Sequence, residues 1–312
     1  MGAGGRLDCG SMRLSFVLGS ASASALVVVA LFACSSDSGS SSGHPPLPDG
    51  ATQLEDGAIV DPDGNVIPPD ALKPSKVVVT TEGVDVLGTG RSYVLSVPKT
   101  YNASRSYPLI VALHGDGQNA AGFRTFLGLD EIAGDDAIVA HPDQALDLFT
   151  PYDMNADQQI VEFVINSVKG KYTIDAAKVW ALGYSKGGFM LNEIACRKPG
   201  VFRAMAAHAT GQPQAEAVGP DGFPVCPGVV GLPVMTSQGS NDTQIGADFA
   251  AQYWAKVNGC GTSRSATTPA PCQKSDGCPP GKPVVFCIAP GVSHFPIWAD
   301  AAQVSWDWFK SL

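Results

Sequence analysis

Val179-Trp180-Ala181-Leu182-Gly183-Tyr184-Ser185-Lys186-Gly187-Gly188, near the middle of the chain, sets the tightest constraint on what this sequence can fold into. An apolar run enters Gly183-x-Ser185-x-Gly187, and a helical pattern follows from Phe189 to Ile194. A serine that attacks an acyl carbon has to project from a sharp strand-to-helix turn. Such a turn brings the residues two before and two after it against neighbouring backbone, so both must be small. Gly183 and Gly187 meet that demand, and the helix beginning after Ser185 aims its free N–H groups at a developing oxyanion. Ser185 is therefore the candidate nucleophile, against the alternative of a glycine-rich structural turn.

The surroundings agree with this placement. From residue 77 onward, short apolar runs cover 77–80, 93–97, 109–113, 137–140, 179–182, 204–207, 234–237 and 284–288. Several are β-branched and bounded by Gly or Pro, as buried strands are. Helical patterns lie at 160–168, 189–194, 249–257 and 301–309. This alternation predicts an α/β fold, a mostly parallel central sheet with helices on both faces.

In a chain built this way the acid and the histidine follow the serine in the order Ser, Asp or Glu, His. Of five histidines, His44 lies in a polar N-terminal stretch, His114 and His141 precede the serine, and His208 comes too early. His294, after the last strand and before the last helix, is the expected base. Asp242 follows the 234–237 strand and a Gly-containing turn, which makes it the expected acid. Asp221 and Asp248 are its rivals, one in a loop too early and one at the start of a helical stretch. The acid would hold the imidazole in one tautomer and stabilise the imidazolium. Backbone N–H groups of Asp116 and Lys186 are the expected oxyanion donors. Gly117 is the alternative to Asp116, or the loop is merely a turn.

The N-terminal region is a separate matter. Arg6 and Arg13 precede an uncharged stretch, 14–32, which ends at Leu31-Phe32-Ala33-Cys34 and a Ser/Gly-rich run. This resembles a bacterial lipoprotein signal, with residues 1–33 removed and Cys34 lipidated. The alternatives are an ordinary signal cleaved near Ala21-Ser22-Ala23, and a start at Met12. Residues 34–75, rich in Ser, Gly, Pro and Asp, read as a flexible tether to a catalytic domain over 76–312. Asp61-Pro62-Asp63-Gly64-Asn65 is no calcium loop, because Val66 and Leu72 stand where Gly and Glu are required. Export would leave six cysteines besides Cys34: Cys196, Cys226, Cys260, Cys272, Cys278 and Cys287. An even number in an oxidising compartment reads as disulfides, and the spacings match no zinc site. Cys196–Cys226 is the expected pair, with Cys260 tied to the 272–287 region, although sequence alone does not select among the possible pairings. Without residues 1–33 the chain has 18 basic and 28 acidic residues, which argues against a nucleic-acid partner. No phosphate-binding, dinucleotide or metal motif is present, so no cofactor and no metal are expected. Oligomeric state is not readable.

Several motifs taken together resemble one branch of the α/β-hydrolase esterases: extracellular poly(3-hydroxybutyrate) depolymerases and the feruloyl and acetylxylan esterases of carbohydrate esterase family one. The matching pieces are Arg91-Ser92-Tyr93-Val94-Leu95-Ser96-Val97-Pro98, Leu113-His114-Gly115, His141-Pro142-Asp143 and Tyr172-Thr173-Ile174-Asp175. Further matches are Gly183-Tyr184-Ser185-Lys186-Gly187-Gly188-Phe189-Met190 and Gly239-Ser240-Asn241-Asp242. The resemblance spans roughly 85–312 and implies an α/β-hydrolase fold and a serine carboxylic ester hydrolase. Three departures bear on substrate more than on reaction. His141 replaces a common Tyr, Ser293-His294-Phe295-Pro296 replaces Gly-His-x-Trp-Pro, and Lys186 replaces a small residue.

The stretch between residues 207 and 233 is dominated by Gly, Pro and Ala, so no large lid is expected and the mouth over Ser185 should be open. That suits an ester on a polymer or a bulky aromatic acyl group. His114, His141, Tyr184 and Trp298 are the candidate substrate contacts, Trp298 by stacking on a sugar or phenolic ring, with ordinary packing as the alternative. Two other classes compete: a non-catalytic surface lipoprotein that keeps the fold, and a serine peptidase of the same fold.

Overall fold

The structure, a computed structural model, describes residues 52–54, 59–60, 66–67, 74–145, 155–214 and 217–312. The expected signal, Cys34 and most of the tether lie outside the described residues. Within the stretch expected to be tether, β1 (Thr52–Gln53) pairs antiparallel with β2 (Ile59–Val60), in a small sheet with β3 (Val66–Ile67).

The main body is organised by alternation along its strands. In β6 (Tyr107–Leu113), Leu109, Val111 and Leu113 enter one apolar cluster, while Ile110 and Ala112 enter a second on the other side. β8 (Ile174–Tyr184) repeats this, with Val179 and Ala181 on one face and Trp180, Leu182 and Tyr184 on the other. Successive side chains of a strand point to opposite faces, so a run apolar at every position is a strand covered twice. The other strands are β4 (Val77–Val84), β5 (Arg91–Pro98), β7 (Ile138–Pro142), β9 (Ala204–His208), β10 (Val234–Gly239), β11 (Arg264–Thr267), β12 (Cys272–Ser275) and β13 (Val284–Ala289). Their order across the sheet is β11-β12-β13-β10-β9-β8-β6-β7-β5-β4. From β7 to β13 every pair is parallel, and antiparallel strands close both edges.

Among the described residues, six α-helices cover the two faces. α3 (Ala156–Lys171), α4 (Lys186–Arg197) and α5 (Ala247–Asn258) supply Ile160, Val164, Leu191, Ile194 and Trp254 to the first cluster. α1 (Ala120–Leu127), α2 (Leu129–Ala133) and α6 (Ala301–Lys310) supply Phe123, Leu129, Trp306 and Phe309 to the second. The Phe309 ring lies flat on Trp180, 5.0 Å between centroids, which seats α6 against β8. All eight expected strands and four expected helices are present. The sequence reading missed α1, α2 and the β11–β12 hairpin.

Three disulfides staple the body. Cys196–Cys226 forms as expected, and Cys260 joins Cys278 inside the 272–287 region. Cys272–Cys287 links residues that face each other across β12 and β13. Among the described residues, no helix is long and apolar enough to cross a membrane.

Three histidines are buried in this frame, His114, His141 and His208, and the last two are pushed toward the neutral form. His208 links three elements: its Nε2–H donates to Ser305 Oγ (2.7 Å), and its Nδ1 accepts from Ser237 Oγ (2.6 Å). The tautomer follows because the Ser305 hydroxyl spends its own proton on Ala301 O (2.7 Å). His141, on β7, is fully buried with neither ring nitrogen hydrogen-bonded, and its ring meets the edge of Phe123. Burial pushes His208 down to about 4. Burial, with smaller contributions from Arg124 and His114, pushes His141 down to about 3. An unfolded histidine titrates near 6.5, so as pH falls the unfolded chain takes up these protons first. The stability that neutral rings confer is full above about pH 6.5 and is lost as pH drops below it. Denaturant unfolding is expected to show a loss of up to roughly 4 kcal/mol between about pH 7.5 and 5, from two groups at ~1.4 kcal/mol per unit each. A profile flat across that range would contradict the burial of both rings.

Candidate active site

β8 delivers Ser185 and α4 leaves from it. Ser185 sits at φ 51°, ψ −120°, a conformation most residues avoid, with its N–H held by His208 O at 2.9 Å. The flanking glycines are required sterically. A Cβ on Gly183 would lie 2.6 Å from Gly187 O, and one on Gly187 would lie 2.4 Å from the carbonyl oxygens of both Leu113 and His114. The start of α4 is therefore pressed against the end of β6.

The three residues expected to act together are within hydrogen-bond reach. Ser185 Oγ is 2.9 Å from His294 Nε2, and His294 Nδ1 is 2.9 Å from Asp242 Oδ2. An ionised carboxylate only accepts, so Nδ1 carries the proton and Nε2 is left to take one from the serine. The Asp242 carboxylate is buried, and its other oxygen accepts the Gln244 N–H at 2.9 Å. The rivals are engaged elsewhere: Asp221 pairs with Lys256, and Asp248 with Arg264 and Gln252.

Backbone contacts hold the acid and histidine loops together. Asn241 N–H donates to Val292 O (2.9 Å), Asn241 Nδ2 to Gly291 O (3.2 Å), and Gly291 N–H to Ser240 Oγ (2.8 Å). A Cβ on Gly239 would fall 2.1 Å from Val292 O. Gly239, read in the sequence only as part of the turn before Asp242, is thus a site residue whose missing side chain the site requires. Tyr184 donates its hydroxyl to His294 O at 2.6 Å. Burial, then the Asp242 charge, pushes that hydroxyl up to about 12, so it stays a donor at any working pH.

The expected oxyanion donors belong to two elements, the turn after β6 and the first turn of α4. Residues 115–118 form a turn in which Gln118 N–H reaches Gly115 O (3.3 Å), with Gly117 at φ 70°. Gly115 N–H is taken by Gln118 Oε1 at 2.8 Å. Opposite, the first intrahelical bond of α4 runs from Phe189 N–H to Ser185 O, so the Lys186 N–H has no intrahelical partner. The side chains of Asp116 and Lys186 meet, Oδ1 to Nζ, at 2.9 Å.

The four candidate substrate contacts are all buried in the structure. His114 supports the turn: Nδ1–H donates to Gly115 O (2.8 Å) and Nε2 accepts Gln144 N–H (3.2 Å). His141 is enclosed between β7 and Phe123, as described above. Tyr184 spends its hydroxyl on the histidine loop. Trp298 packs in the second apolar cluster, and its carbonyl accepts the Ala301 N–H that begins α6. Exposed instead are Phe295, beside His294 and 65% accessible, and Phe126 on α1, 47% accessible. Their rings are 6.5 Å apart between centroids and within 13° of parallel. Between β9 and β10 the described residues contain no helix. Among the described residues, no group of three or more His, Cys, Asp or Glu could hold a metal ion.

Fold and site together define an α/β-hydrolase fold carrying a hydrogen-bonded Ser–His–Asp set. No protein-family model matches the chain. Among curated proteins it is similar to a probable feruloyl esterase C of Aspergillus terreus, 29% identical over 137 residues, 42% of this chain and 50% of that protein. It is similar also to feruloyl esterase D of Neurospora crassa, 25% identical over 240 residues, 72% of this chain and 80% of that one. The chain spans about half the length of the first curated relatives it matches. Among solved structures it shares its fold with an acetyl xylan esterase from Aspergillus awamori, with TM-score 0.56 and 18% identity, covering 75% of this chain and all of that one.

Gly239→Ala tests the geometry away from the reacting atoms. The added methyl must displace Val292 and with it His294, so kcat for an ester should fall by about tenfold or more, as misplacement of a reacting group by about 1 Å can cost ~100-fold. Ester kinetics with unchanged kcat would show that the acid and histidine loops do not depend on this contact.

Proposed function

We propose that this protein is an exported serine carboxylic ester hydrolase acting through an acyl-enzyme on polymer-linked or bulky esters. The observation that carries the reading is the continuous set Ser185, His294 and Asp242, joined at 2.9 Å and 2.9 Å on a serine held at a strand-to-helix turn. Ser185 Oγ attacks the acyl carbon while its proton passes to His294 Nε2, and Asp242 stabilises the imidazolium. The carbonyl oxygen gains negative charge facing the N–H groups of Asp116 and Lys186. Collapse expels the alcohol, which leaves with the proton from His294. Water, deprotonated by the same nitrogen, then releases the acid and restores Ser185.

For the acyl group, the near-parallel exposed pair Phe126 and Phe295 favours a flat aromatic ring beside the histidine, since aromatic groups gain by stacking and edge contact. The relatives named as feruloyl esterases support the same class. Acetylated polysaccharide and polyhydroxybutyrate are the other substrates of the proposal. Three disulfides suit an oxidising compartment, and a lipid on Cys34 with a tether over 34–75 would keep the enzyme at the envelope within reach of insoluble material. A complete hydrogen-bonded set argues against a purely binding role.

Wild type and Ser185→Ala should differ by about 10⁴-fold or more on a short p-nitrophenyl ester. Equal rates would overturn the reading. Across methyl ferulate, acetylated xylan, hydroxybutyrate oligomers and triolein, turnover should favour the first three. Preference for triolein would contradict an open site for bulky polar esters.

A further inference from the structure

Lys186 breaks a local rule of helix construction. It is the first residue of α4, and no acidic residue lies in that first turn. The N-terminus of a helix carries the positive end of its dipole, so a cation there is unfavourable and an anion favourable. What faces it is Asp116, 70 positions earlier in the chain, Oδ1 to Nζ at 2.9 Å, with side chains 65% and 43% accessible. A solvent-exposed pair adds little to folding stability. A violation of local preference at the mouth of a reactive site, without gain in stability, points to a role in the reaction.

The place of the pair specifies that role. Asp116 and Lys186 are the residues whose backbone N–H groups the proposed reaction directs at the oxyanion, and they belong to separate elements. The inner limb of the 115–118 turn is held by His114 and by the Gln118 side chain. The outer limb is open: a Cβ on Gly117 would meet nothing within 4 Å, and among the described residues the polar contact of the Asp116 side chain is Lys186. An Asp116 carboxylate left unpaired beside the hole would also oppose the charge that develops on the substrate oxygen.

We infer that the Lys186–Asp116 ion pair is a strut across the oxyanion hole, which holds the 115–118 turn at its working distance from α4 and neutralises the Asp116 carboxylate. Both side chains are then positioning residues, acting through the backbone donors and not on the substrate. The inference rests on the ester-hydrolase reading above and gives that reading a part that can fail separately.

The test is steady-state hydrolysis of p-nitrophenyl acetate by wild type, Lys186→Met, Asp116→Asn and the double variant, with folding checked by circular dichroism. Loss of a whole oxyanion donor costs ~100- to 1,000-fold, so a loosened hole should cost about tenfold in kcat for Lys186→Met, with little change in KM. Asp116→Asn should lose less, because it leaves a cation near the hole. The double variant should be faster than Lys186→Met alone, because it removes the carboxylate that the single change leaves bare. A merely structural pair would not give that rescue. Lys186→Met within twofold of wild type, a loss confined to KM, or a double variant no faster than Lys186→Met would each overturn the strut. A wild type inert toward esters would overturn the hydrolase reading and the strut with it. An active wild type with indifferent variants overturns the strut alone.

Discussion

The first turn of α4 approaches the end of β6 so closely that no side-chain atom fits between them. At Gly187 a single methyl would sit 2.4 Å from two carbonyl oxygens, and at Gly183 it would strike the helix backbone at 2.6 Å. This contact turns the chain through Ser185 at a positive φ and brings Lys186, whose N–H has no intrahelical partner, opposite the turn that follows β6. The parallel order of β6, β8, β9 and β10 serves the same end, since it gathers the loops after all four strands along one edge. Ligands and reacting groups in open α/β sheets collect outside the carboxyl ends of the strands for this reason.

A second close approach completes the site. Gly239 lets the loop after β10 press against residues 292–293, and the bonds from Asn241 and Gly291 lock the two loops together. Tyr184 then ties the histidine loop to β8 through the His294 carbonyl. His294 is thus held from the Asp242 side by its own Nδ1 and from the Ser185 side by the preceding tyrosine. Buried histidines elsewhere have structural work: His208 fastens β9, β10 and α6, and His114 shapes the turn beneath Asp116.

Strands buried on both faces and the Gly-x-Ser-x-Gly turn were legible because each leaves a dense local pattern. Asp242 and His294 followed from chain order alone, since acid and base must come from later strand ends. The misses have physical causes. α1 is only eight residues long and buries little besides Phe123 and Leu127, although its Asn119 cap and Gly128 stop were visible. The β11–β12 hairpin is polar, tied to β13 by Cys272–Cys287 and flanked by Cys260–Cys278, so it lacks an apolar run to read. Residue type without position does not tell a buried side chain from an exposed one. A histidine or tryptophan near a site looks like a ligand group, yet His114, His141, Tyr184 and Trp298 are all buried, whereas Phe126 and Phe295 stand exposed. Nothing in one sequence marks which aromatic of a loop faces outward. The reading of residues 1–51 lies outside the described residues.

Activation of Ser185 by His294 and Asp242 is the claim on which the rest turns, and covalent labelling tests it most directly. Intact-mass analysis after exposure to a fluorophosphonate probe should show one adduct per chain, mapped to Ser185, absent in Ser185→Ala and strongly slowed in His294→Ala. A natively folded protein that takes up no probe, or takes it up at another residue, would contradict the account.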